Sequence, residues 1–161
     1  MSSPLSRVNQ KLYFARLLLT EMAGEKDPRR QQLVAESLLF QLRLAYHFHL
    51  GHVAASYQCA DSGAVASAGD LVRALEALDK SPAEAREIET LAATRGSWLN
   101  GLLAAWEQAF SPPDSAGAAS GEGLIPVTQV VVEALDQETL GAWLRALTEL
   151  VERHREVMVE C

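Results

Sequence analysis

Charge is scarce where this sequence is most helical. From Leu33 to Ala60 it carries only two formal charges, Glu36 and Arg43. A helix that is apolar nearly all round must be surrounded, so this segment reads as the central element of an all-α fold. Cysteine is almost missing: Cys59 lies in that segment and Cys161 is the last residue, which excludes a disulfide framework. No run reaches the roughly 18 consecutive apolar residues of a membrane span. Around Leu12–Leu19 the charges of Arg7, Lys11, Arg16 and Glu21 break the apolar core that a secretion signal needs. A basic excess is absent too. The net charge is −7, and an acidic surface repels a phosphate backbone, which argues against nucleic acid as a partner. These absences point to a cytoplasmic protein with no membrane partner.

Chemical motifs are also lacking. There is no Gly-x-Ser-x-Gly nucleophile turn, and the glycines from Gly117 to Gly123 have no lysine and no following helix start, so they do not form a phosphate loop. No cofactor is predicted.

What is present is a helical pattern in 161 residues, 48% hydrophobic and 22% charged, the size of one domain. Leu5, Val8, Leu12, Ala15, Leu19 and Met22 repeat at three and four, predicting a one-sided helix from about Ser6 to Ala23, capped by Ser3 or Ser6. Asp27-Pro28 reads as the N-cap and first position of a second helix running to about Gln58. It carries Leu33, Phe40, Leu44 and Ala54 on one face and Val34, Leu38, Ala45 and Ala55 on another, with Gly51 marking a kink or a close neighbour. Asp70 is expected to cap a short helix over Leu71–Leu78. Ser81-Pro82-Ala83-Glu84 predicts a helix continuing to Phe110, ended by Pro112-Pro113. Residues 111–123 read as a mobile loop, and 124–135 as a short piece, helical or extended. A last helix covers Gln137–Val159, with Leu140, Trp143, Leu147, Leu150 and Val157 inward. The expected fold is a single-domain antiparallel bundle of four main helices plus one or two short accessory helices.

Several stretches resemble a known family. They are Arg7-Val8-Asn9-Gln10-Lys11-Leu12-Tyr13-Phe14-Ala15, Trp98-Leu99 with Leu102-Leu103 leading to Phe110 and the proline pair, Ile125-Pro126-Val127, and Trp143 with Leu147 before Arg153-His154-Arg155-Glu156. The family is an uncharacterised one of small helical proteins, a domain of unknown function, from pseudomonads and related bacteria. The resemblance spans nearly the whole chain and implies a helical fold in a bacterial cytoplasm, with no activity attached.

Three sets of residues are candidates for chemistry. Glu36, Arg43 and His47 share one side of the central helix, within about 40°. They suggest a small polar site in which Glu36 holds Arg43 and shifts His47, set against a solvated stripe or a structural network. Arg43 with His49 has the spacing of the HEPN ribonucleases, whose arginine and histidine meet across a dimer. On a regular helix, however, His49 points about 120° away from Arg43. His49, His52, Ser56 and Cys59 line another face that could contribute to a metal site, although the Glu-x-x-His pairs of di-iron bundles are absent. Arg95 and His154 interrupt apolar stripes and read as inward residues that fix helix register, Arg95 against Glu36 or another carboxylate, with snorkelling of Arg95 to the bundle edge as the alternative. Arg153 and Arg155, interleaved with Glu149, Glu152 and Glu156, read as a salt-bridged solvated face. The reading that results is a non-catalytic helical protein acting through an unknown protein partner or through itself, as a homodimer. The alternatives are a HEPN-like nuclease and a helix-bundle site for a metal or small ligand.

Overall fold

The computed structural model describes residues 3–111 and 135–159. Their regular structure is all helical: α1 Pro4–Gly24, α2 Pro28–Ser56, a 3₁₀ turn Ser62–Ala64, α3 Ala68–Glu76, α4 Ala83–Ala93, α5 Trp98–Phe110 and α6 Gln137–Val159. Three helices are long and three are short, in place of four main helices. The segment 124–134 and nearly all of the expected loop at 111–123 lie outside the described residues.

Local sequence explains most helix starts. Ser3 Oγ accepts from the Ser6 N–H at 3.1 Å, and Asp27 Oδ1 accepts from the Arg29 N–H at 3.0 Å, with Pro4 and Pro28 at the first helical positions. The cap of α3 is Ser67, not Asp70. Its Oγ accepts from Asp70 N–H at 3.1 Å while Asp70 Oδ2 accepts from Ala66 N–H at 3.2 Å, a reciprocal capping arrangement that starts the helix three residues earlier. At α4, Pro82 itself occupies the cap position and Ser81 makes no capping bond. Glu84 is buried beneath Tyr57, whose hydroxyl donates to its Oε2 at 3.2 Å.

The expected helix from Ser81 to Phe110 is broken at Thr94–Ser97. Gly96 sits at φ +85°, a left-handed conformation that ends α4, and Ser97 at once caps α5 by accepting from Asn100 N–H at 3.0 Å. The same two side chains reach back. Ser97 Oγ donates to Leu91 O, and Asn100 Nδ2 donates to Ala92 O at 2.9 Å, so the freed carbonyls of α4 are satisfied by α5. Arg95 lies exposed in this turn and, among the described residues, pairs with neither Glu36 nor another carboxylate.

The three-residue connection at 25–27 folds α2 back along α1, and these two helices make the largest helix–helix contact. α6 lies against both, α5 against α2 and α6, and α3 and α4 extend the assembly. The α1 stripe buries Val8, Leu12, Ala15 and Met22. The α2 core face is Leu38, Leu39, Leu42, Ala45, Tyr46, Leu50, Val53 and Ala54. Three residues expected in its apolar faces stand out in solvent, Leu33 at 64% exposure, Phe40 at 45% and Ala55 near the helix end. Val157, expected inward on α6, is half exposed. Gly51 marks a close neighbour: a Cβ there would stand 3.3 Å from the Ser62 carbonyl oxygen, so its missing side chain lets the 3₁₀ turn rest on α2.

Candidate functional site

Position 49 stands in register with the core stripe of α2: Leu42, Tyr46, His49 and Val53 follow at spacings of four, three and four. His49 is accordingly fully buried. Its Nε2 lies 2.9 Å from Nδ1 of His154 on α6, with the two rings stacked at 5.1 Å between centroids. His154 is buried as well, and its Nε2 lies 2.8 Å from Glu87 Oε2 on α4. Arg153 closes the outer end of this chain with an ion pair to Glu87 Oε1. It does so across helices, in place of the expected pairing with glutamates of its own helix. Burial pushes the Glu87 carboxyl upward, but the hydrogen bonds from His154 and Arg153 outweigh that and hold it below its ordinary value. His49 is driven down to about 3, first by burial, then by the neighbouring His154 and His52.

The protons follow from these partners. An ionised Glu87 can only accept, so His154 donates through Nε2. With Nε2 carrying the one ring proton of His154, its Nδ1 lone pair can accept from the Nε2–H of His49. The last atom, His49 Nδ1, is buried and has no partner among the described residues. A carboxylate–imidazole–imidazole chain has the donor order of a catalytic triad, but its inner end is an enclosed ring and no nucleophile follows it. It ties α2, α4 and α6 together instead, as inward polar groups do when they fix helix register, with His49 Nδ1 left over.

The other candidate residues are dispersed. Glu36 is exposed and accepts from Gln32 Nε2 at 3.1 Å; it does not hold Arg43. Arg43 is half-buried and leans the other way, with its guanidinium 5.4 Å from the Tyr46 ring and 5.8 Å from the Trp106 ring of α5. Two aromatic faces and the charge of Glu107 draw it toward α5. Burial lowers Arg43 from its ordinary value, with Tyr46 and Glu107 opposing. His47 is lowered by burial and then by Arg43, the reverse of a shift by Glu36. His52 is half-buried, its ring 6.2 Å from that of His49. Arg43 and His49 therefore do not converge, and His49 is closed to any phosphate. Ser56 Oγ donates to the His52 carbonyl and Cys59 is a free thiol beyond the end of α2. Among the described residues no group of three His, Cys, Asp or Glu side chains could hold a metal ion.

Two features escape the sequence reading. Glu87 lies with Glu84, Ile88 and Leu91 on the inward side of α4, and a carboxylate on an apolar stripe is a signal available in the spacing. The second is an outward aromatic row: Phe40 stacks on Trp106 at 5.7 Å and Trp106 meets Phe110 at 4.6 Å, with Phe110 68% exposed.

Fold and site together define an all-α protein whose inward polar groups engage one another and whose aromatics emerge beside Arg43. The chain belongs to a family of unknown function, DUF6586, whose model matches residues 1–161. No curated protein and no solved structure matches it.

Proposed function

We propose that this protein is non-catalytic and acts by contact with another macromolecule, a second copy of the chain being the simplest occupant, through the outward face of α2 and α5. The observation that carries this reading is the contrast in exposure. The two imidazoles bonded in series to Glu87 are buried, whereas Phe40, Trp106 and Phe110 form an outward aromatic row beside a half-buried arginine, with Leu33 exposed two turns before Phe40 on the same helix. Aromatic and arginine side chains are the residues that dominate binding energy at protein interfaces, and a grouped apolar surface of this kind marks a contact site. No described helix is long and apolar enough to cross a membrane. That, the scarcity of cysteine and the net charge of −7 support a cytoplasmic setting away from nucleic acid. The resemblance at Arg7–Ala15 and Arg153–Glu156 supports a bacterial one.

The test is light scattering of the purified chain over a concentration series, beside Phe40→Ser and Phe110→Ser. Self-association is expected in the wild type and weakened in both variants, with little change in melting temperature because both rings stand in solvent. A wild type that stays monomeric throughout excludes the second copy. A concentration dependence unchanged in both variants removes this face from the contact.

A further inference from the structure

A cavity of about 350 Å³ opens between the first turns of α1, the middle of α2 and the 3₁₀ turn, bordered by Pro4, Arg7, His47, Phe48, Gly51 and Ser62. None of its bordering side chains is acidic. Arg7 brings a guanidinium, His47 an imidazole and Ser62 a hydroxyl, and no carboxylate lines it; Asp61, the nearest acid in sequence, is exposed outside the lining. In a chain of net charge −7 a pocket with that lining is unusual. The ion pairs among the described residues are Arg73–Asp70, Arg153–Glu87 and His154–Glu87, and none of them involves Arg7. What holds Arg7 is the ring of Phe48, 5.3 Å from its guanidinium carbon, a contact that orients the fork and leaves its N–H groups for another acceptor. His47 is fixed edge-on to the same ring at 5.5 Å. Arg43, one turn before His47, adds positive potential from the side.

We propose that this cavity binds a small organic anion through a phosphate or carboxylate group, with Arg7, His47 and Ser62 as the donors. The volume lies at the lower end of ligand pockets, which is more than a bare oxyanion fills and enough for a short organic body against Phe48. The guanidinium supplies the paired N–H geometry that planar oxyanions take, and the hydroxyl supplies a third donor. The absence of Cβ at Gly51 lets the Ser62 backbone carbonyl oxygen come close to α2, which sets Ser62 at the cavity edge. This site stands apart from the outward contact of α2 and α5, so either can fail without the other.

The full-length chain is titrated with inorganic phosphate and, separately, with acetate, each against chloride at equal ionic strength. Binding is read by calorimetry and by the His47 ring signals in NMR. Saturable binding that moves the His47 signals is expected for at least one probe, and it should weaken about tenfold or more in Arg7→Gln, the size expected for losing a charged hydrogen bond. The tighter probe names the headgroup. Arg7 is exposed, so the variant should melt with the wild type. Should it not, the His47 signals of the wild-type chain decide the matter without it. No saturable binding of either probe, unmoved His47 signals, or an affinity unaltered in a folded Arg7→Gln each overturn the proposal.

Discussion

His49 and His154, 105 residues apart in sequence, share one hydrogen bond of 2.9 Å in the core, and Glu87 fixes which nitrogen donates. Because both rings are enclosed, a proton added to His49 would be a charge held out of solvent, and the neighbouring His154 and His52 add to that cost. That is why its pKa falls to about 3.

The consequence for stability has a definite sign. Between pH 3 and the ordinary histidine value near 6.5, the unfolded chain binds a proton that folded His49 refuses. Stability is therefore complete above about pH 6.5 and lost as pH falls below it, by up to about 1.4 kcal/mol per unit for this one group. His47 and His52, both lowered by burial, act in the same direction. Urea midpoints at pH 7 and pH 5 should separate more in the wild type than in His49→Gln. Equal separations would show that His49 titrates normally.

Glu87→Ala leaves His154 Nε2–H buried without an acceptor. The side chain of Glu87 is 38% exposed, so water can partly replace it. The expected cost is about 1 kcal/mol, the low end for an unsatisfied donor, or a melting temperature lower by about 2–4 °C. Arg153→Ala removes only the outer ion pair, from a side chain 54% exposed, and should shift stability by less than about 0.5 kcal/mol. If calorimetry gives the two variants the same loss, the surface pair and not the imidazole bond is what matters.

The glycines of the two helix ends should respond oppositely to alanine. At Gly96, with φ +85°, a Cβ enforces strain worth about 1 kcal/mol or more. Gly24, the last residue of α1, has nothing within 4 Å of a built Cβ, so Gly24→Ala should be neutral or stabilising by up to about 1 kcal/mol. Chemical denaturation of both checks the α4–α5 break, since in a continuous helix Gly96→Ala would stabilise.

On α2 the two sides differ sharply. Leu42 is fully enclosed and Leu33 is 64% exposed. Leu42→Ala should cost about 2–5 kcal/mol through lost burial and an unfilled cavity, and Leu33→Ala within about 0.5 kcal/mol. Comparable losses from the two would mean that α2 is turned otherwise than described.

The residues that set helices by themselves did so through short-range chemistry. Asp27 with Pro28 states where α2 begins, and the stripe Val8, Leu12, Ala15, Met22 which side of α1 faces in, because caps and helical period act within a few residues. For α1 the sequence left Ser3 and Ser6 open as caps, and the structure takes Ser3, so the helix begins at Pro4, two residues before the expected start at Ser6. The break at Gly96-Ser97 was equally local and readable as a glycine stop followed by a serine cap, but the apolar stripe running across it masked the signal. Tertiary structure alone decided the rest. With apolar residues on several sides of α2, periodicity could not rank which side the neighbours cover, so Phe40 and Leu33 went outward and His49 inward. It also chose Glu87 and His154 as partners for His49, since a bond between helices distant in sequence depends on how their faces meet and on which buried nitrogen would otherwise be left unpaired.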